Sequence, residues 1–169
     1  MVVGHSLGAA TVMAAALACP GRFAGLVLIA PASTSGLDFV PDDQFDSLAH
    51  PTREQQEALA LAAFRRPPSD EGFRQLMSVI EMASPQHIDG AARSMRDFAC
   101  QQSLVALDVR SILLCGDRDR HVPLRNHLAT HGAIARCGLQ VYFDIGHVPF
   151  VETPDRCAAD VERFLATIH

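Results

Sequence analysis

The residues that could do covalent chemistry lie in three short glycine-led turns far apart in the chain. The first is Gly4-His5-Ser6-Leu7-Gly8, preceded by apolar Met1-Val2-Val3 and followed by an alanine-rich run to Cys19. The second is Gly116-Asp117-Arg118-Asp119-Arg120-His121-Val122-Pro123, and the third is Gly146-His147-Val148-Pro149. A serine hydroxyl becomes a useful nucleophile when a base takes its proton, and an imidazole is the better base when a carboxylate fixes its tautomer. Ser6, an aspartate of the second turn (Asp117 or Asp119) and His147 offer one group of each kind, in the order serine, acid, histidine.

The G-x-S-x-G pattern explains itself physically. A serine at the tip of a sharp strand-to-helix turn sits in a strained backbone conformation, so its neighbours two residues away must be small, as Gly4 and Gly8 are. The Leu7 N–H, in the first turn of the following helix, is then positioned to hold a developing oxyanion, aided by the helix dipole. The competing reading is an ordinary turn whose serine caps a helix.

Around these turns the pattern of elements is that of a parallel α/β sheet. Leu7 to Cys19 is apolar on nearly all sides, predicting a helix covered on both faces and ended by Pro20-Gly21. Gly25 to Ala30 is an apolar run of strand length, so strand, helix and strand form a parallel crossover unit. Residues 1–34 thus read as one part of the core. Residues 35–108 contain no further strand-like run and form a helical insertion. Ser33 to Gln44, with Asp42, Asp43 and Asp46 about it, reads as an exposed loop with solvated carboxylates. Thr52-Arg53-Glu54-Gln55 is a capping box that opens a helix to about Phe64. Ser69 caps a second helix, with Phe73, Leu76, Met77 and Ile80 on one face, and residues 84–100 hold a third helical pattern. Such apolar faces need a surface, and the mouth of a site above the sheet offers one, as a lid. Residues 109–169 resume the core: a strand at Ser111-Cys115, a helix from Leu124 to about Ala135, a strand at Leu139-Phe143, and a last helix opened by Thr153-Pro154. Val161, Phe164, Leu165 and Ile168 are its expected buried stripe. Loops that follow the carboxyl ends of parallel strands gather at one edge of the sheet, which is where the three turns would meet.

Composition narrows the partners. At 169 residues the chain can bury a substantial core, and its net charge of −5 with no basic run longer than Arg65-Arg66 gives no reason to expect nucleic acid. A small-molecule partner is the default. Cys19, Cys100, Cys115, Cys137 and Cys157 are odd in number and never in a C-x-x-C pair, which reads as reduced core residues of a cytoplasmic protein. Ala9 to Ala18 has signal-peptide hydrophobicity without a basic leader, and no stretch is long enough to span a membrane. His127 and His131, four apart on a helix, have the spacing of zinc ligands but no third ligand nearby, so a solvated helix face is expected and neither metal nor cofactor is. His5 is expected to point away from the serine as a packed structural histidine.

Together the three blocks, with Glu152 and Pro154 behind the third, resemble the signatures of α/β-hydrolase fold proteins with a helical cap, and the resemblance runs along essentially the whole chain. It implies that Ser6 is the nucleophile, His147 the general base and, from the spacing to Val122-Pro123, Asp119 rather than Asp117 the acid. It implies a carboxylesterase-like serine hydrolase acting on an ester, a related acyl bond or a carbon–carbon bond of a small apolar substrate, with no cofactor. Members of that family have strands before the nucleophile strand and an early loop that gives the second oxyanion-hole N–H. Here the nucleophile strand comes first, so the sequence reads as a C-terminal portion, with a short sheet of about four strands whose exposed edge calls for a second copy of the chain or a missing N-terminal segment as cover. Loss of one oxyanion donor costs about a hundred- to thousandfold in rate, so low activity of the isolated chain is expected. The contrasting expectation is a non-catalytic hydrolase-fold remnant or an assembly or binding partner.

Overall fold

The computed structural model describes residues 1–168. Its framework is a four-stranded, wholly parallel sheet in the order β1 (Val2–His5), β2 (Leu26–Ile29), β3 (Ser111–Gly116), β4 (Cys137–Tyr142). Each strand reaches the next through a helical crossover, as parallel pairing requires. Helix α1 (Leu7–Ala18) joins β1 to β2, and α6 (Leu124–Ala133) joins β3 to β4. The strands of the middle are apolar on both faces because both faces are covered. Leu26, Leu28, Leu113 and Cys115 pack with Ala9, Met13 and Leu104 on one side, whereas Val27, Ile29 and Leu114 pack with Tyr142, Cys157 and Phe164 on the other. The second set is held by the terminal helix α8 (Pro154–Leu165), reached after a short turn α7 (Pro149–Glu152).

Between β2 and β3 runs the helical segment: α2 (Asp42–Ala49), α3 (Arg53–Ala62), α4 (Asp70–Ile80), α5 (Pro85–Asp97) and a 3₁₀ turn at Gln101–Ala106. The starts of three of these helices follow directly from sequence. Thr52 and Gln55 form the reciprocal capping box, Ser69 accepts from the Gly72 N–H, and Ser84 accepts from the His87 N–H. Phe45, Ala49 and Ala92 bind α2 to α5, while Ala63, Phe64 and Leu76 meet Val148 just beyond His147.

Several expectations are corrected. The stretch Ser33 to Gln44 read as an exposed loop runs into α2 at Asp42, a helix that buries Phe45 and Ala49 while Asp42, Asp43 and Asp46 stay in water. Ser33 and Thr34 at its start are buried and hydrogen-bonded, not exposed. Helix α1 is covered on one side only: Thr11, Ala14 and Ala18 are exposed, because alanine side chains are too small to demand burial. Leu165 is exposed, and Cys157, Asp160 and Phe164 form the buried side of α8. Thr153 precedes α8 without capping it through its side chain. Cys19 is exposed; Cys115 and Cys157 are buried, and all five thiols are free. Among the described residues, no helix is long and apolar enough to cross a membrane.

Candidate functional site

All three turns follow the carboxyl ends of their strands and open on the same edge of the sheet, Ser6 after β1, Asp119 after β3 and His147 after β4. Ser6 has φ 52° and ψ −120°, a left-handed conformation that a residue with a side chain adopts only under constraint. The constraint is visible in the backbone. The Ser6 N–H donates to the Ile29 carbonyl, and the Ser6 carbonyl accepts from the N–H groups of Ala9, Ala10 and Ala32. Ser6 occupies the N-cap position of α1, yet its side chain makes no capping hydrogen bond. Serines at that position ordinarily bond the exposed N–H groups of the first turn, so this hydroxyl is not employed as a cap. A Cβ on Gly4 would lie 2.6 Å from the Gly8 carbonyl oxygen and 2.7 Å from the Ala9 backbone, which explains the first glycine of the motif. At Gly8 nothing lies within 4 Å of the equivalent point, so the expectation of a steric demand there is not met among the described residues.

Asp119 and His147 are brought together. The His147 Nδ1–H donates to Asp119 Oδ2 at 2.7 Å, with both side chains almost fully buried. A neutral imidazole that spends its Nδ1 proton in this way leaves Nε2 as an acceptor. Among the described residues neither Nε2 of His147 nor Oγ of Ser6 has a hydrogen-bond partner, and no bond joins the two. The two turns do adjoin: His5 Nε2–H donates to the His147 carbonyl at 3.0 Å, and the two rings lie 4.8 Å apart. His5 is thus packed as expected, and what it packs against is the proposed partner of the serine.

Of the two aspartates, Asp119 is the one bonded to His147. Its Oδ1 accepts from the N–H groups of His121 and Val122 at 2.8 and 2.9 Å, and its Oδ2 from His147 and from His127 Nε2 at 3.1 Å. Burial alone would raise this carboxyl, but the hydrogen bonds from His127 and His147 overcome that and hold it well below the usual carboxylate range. Asp117 serves another purpose: its Oδ1 accepts from the Asp144 N–H at 2.6 Å, at a residue with φ 57°, and its Oδ2 faces Arg118 at 3.4 Å.

The expectation of a solvated face for His127 and His131 is overturned. His127 is completely buried, His131 is half-buried, and His127 is the second histidine on Asp119. Sequence reading missed it because its acceptor lies eight positions back, across a turn ended by Pro123; its place in the first turns of the helix directly after the acid loop was the available signal. His121 was missed as well. Its ring stacks on that of His147 with centroids 4.8 Å apart and planes inclined by 13°, while its Nε2–H donates to the Leu59 carbonyl in α3 at 2.9 Å. Burial, then the neighbouring His147, holds the pKa of His121 down, and the same two causes hold His5 down to about 4.

The histidine loop is pinned from several sides. Glu152 accepts from the N–H groups of Gly146, Arg65 and Arg66, and the His147 N–H donates to the Ala63 carbonyl at 2.7 Å. A Cβ on Gly116 would collide with the carbonyl oxygens of Ile145 and Gly146, so glycine there allows the acid and histidine loops to touch backbone to backbone. Ser6 lines a cavity of about 640 Å³ with Leu37, Phe39, Leu48, Leu59 and Arg120. His147 lines an adjoining one of about 610 Å³, nearly all apolar, and His121 lines both.

Comparison with known proteins gives this geometry a family. A model of the alpha/beta hydrolase family matches residues 1–160. The chain belongs to the alpha/beta hydrolase family. Among solved α/β-hydrolase-like structures, the esterase from Exiguobacterium antarcticum superposes with a TM-score of 0.85 at 19% identity, covering 98% of this chain and 66% of its own. A bromoperoxidase from Bacillus anthracis gives 0.89 at 15%, covering 97% and 66%. A meta-cleavage product hydrolase from Pseudomonas fluorescens IP01 gives 0.80 at 21%, covering 99% and 64%. No curated protein sequence matches. The chain spans somewhat under two thirds of the length of these α/β-hydrolase structures, and at such identities the likeness establishes the fold.

Proposed function

We propose that the chain carries the site of a serine hydrolase that cleaves an ester or a related acyl bond, with Ser6 as nucleophile, His147 as general base and Asp119 as the acid that orients it. The observation that carries this reading is the His147–Asp119 pair behind a serine whose strained turn leaves its hydroxyl without structural employment. In the reaction Ser6 Oγ would attack the substrate carbonyl carbon and pass its proton to His147 Nε2. The resulting oxyanion would be held by the Leu7 N–H at the start of α1, and collapse would expel the alcohol with that proton. Water activated by His147 would then release the acid and free Ser6. Asp119 stays ionised throughout, which its four hydrogen bonds favour. The helical segment 35–108 acts as the cap, since α3 touches His121 and the stretch after it carries the Ala63 carbonyl that holds His147.

The esterase from Exiguobacterium antarcticum among the structural neighbours supports an ester or related acyl bond as the one cleaved. The test is the time course with 4-nitrophenyl acetate. The reading expects turnover together with an acetyl group on the peptide bearing Ser6 by mass spectrometry, both absent in Ser6→Ala. A folded chain that is never acetylated would favour the other reading, a non-catalytic remnant or assembly partner that turns nothing over.

A further inference from the structure

We infer that the cavity at Ser6 takes substrates that carry a carboxylate on an otherwise apolar body, and that Arg120 is the residue that binds it. The inference rests on the proposed role of Ser6 and concerns what that site selects. The cavity walls are largely apolar, with Leu37, Phe39, Leu48 and Leu59 among them. Among the described residues no aspartate or glutamate lines it, and Arg120 is the one lining residue with a permanent charge. Its guanidinium is uncommitted. Arg118 is paired with Asp117, Arg65 and Arg66 with Asp144, and Arg96 with Asp42, whereas Arg120 has no hydrogen bond or ion pair among the described residues. Asp119, its neighbour in the chain, cannot take that role, because the carboxylate is turned inward and already accepts four hydrogen bonds.

A lone cation on the rim of an apolar cavity attracts an anion more strongly than one wholly surrounded by water, and the planar guanidinium fits a carboxylate with two parallel hydrogen bonds. The other polar groups of the wall, Ser6, Ser33, Gln44, Ser47, Gln55 and the His121 ring, carry no permanent charge, and burial beside His147 holds the pKa of His121 down. The adjoining cavity on the His147 side is lined by no acidic or arginine side chain, which suits the apolar remainder of such a molecule.

Binding can be read apart from turnover. The Ser6→Ala chain is titrated, by calorimetry or by ligand-observed nuclear magnetic resonance, with 4-phenylbutyrate and with its neutral amide. The acid is expected to bind about fivefold more tightly than the amide, a margin in keeping with a partly exposed ion pair. That margin should shrink with added salt, vanish in Ser6→Ala/Arg120→Gln, persist in part in Ser6→Ala/Arg120→Lys and remain in Ser6→Ala/Arg118→Gln. Equal affinities, no detectable binding of the acid, or a preference that survives Arg120→Gln would each overturn the inference. Because the readout does not need a reactive serine, an acid preference in a chain that is never acetylated would sink the proposed chemistry and leave this inference standing. Acetylation without any acid preference would do the reverse.

Discussion

The two halves of the site are built to different standards. On the acid and histidine side, β3 lies inside the sheet though β4 is an edge, the Asp119 carboxylate is fully occupied by four donors, and Glu152 and the Ala63 carbonyl lock the loop that carries His147. On the serine side, β1 is an edge strand with Val3 half exposed, and the strained Ser6 is held by backbone hydrogen bonds to Ile29, Ala32, Ala9 and Ala10. The contrast teaches that, although β1 and β4 are both edge strands, the imidazole loop is tied down by Glu152, Asp119 and the Ala63 carbonyl, while the nucleophile turn rests on backbone hydrogen bonds among the described residues.

The largest effect should come from the better-built half. Asp119→Asn keeps the shape but cannot accept from every present donor, and esterase activity should fall by about a thousand- to ten-thousandfold with little change in far-ultraviolet circular dichroism. An unchanged rate would show that the locked half is not what matters. Next comes protection of backbone amides. Hydrogen exchange in β1 should be at least about a hundredfold faster than at Leu113 and Leu114, because edge strands open locally while central ones open with the whole domain. Equal protection would erase the distinction between the halves.

Gly4→Val tests the serine side directly. A branched side chain would enter the space of the Gly8 carbonyl and the Ala9 backbone, and urea denaturation should show a loss of about 2 to 3 kcal/mol. His127→Ala removes one of two histidine donors from Asp119 Oδ2 and leaves a void in a buried place; about 2 kcal/mol should be lost, after the relief of the buried, unpartnered Nδ1 offsets part of the cost. The smallest effect is that of acid. His5 and His121 are both held below their ordinary value of 6.5, His5 at about 4, so the unfolded chain binds these protons first. Their contribution is intact above pH 6.5 and declines toward pH 4, where thermal denaturation should show a lower midpoint. A midpoint that rises over that interval would contradict the burial of these rings beside His147.

Much of this was readable from residue types. The apolar runs that became β2 and β3, the caps at Thr52, Ser69 and Ser84, and the three glycine-led turns are local signals, and local signals survive folding. What escaped reading depends on contacts between distant segments. Asp42 to Gln44 look like the end of a loop because the helix they open has a polar exterior and only Phe45 and Ala49 to bury, against a partner in α5. His127 looks like a surface residue until the turn at Pro123 folds its helix back over Asp119. His121 has no visible purpose in sequence, since both its stacking partner and its acceptor, His147 and Leu59, lie far from it in the chain.

The most direct measurement is the rate at which a fluorophosphonate reacts with the chain, followed by locating the adduct. If the hydroxyl, the imidazole and the carboxylate act as one unit, the adduct forms on Ser6, and His147→Ala and Asp119→Asn each slow it by more than about a hundredfold in chains that remain folded. Reaction at another residue, or an unaltered rate in both variants, would contradict the account.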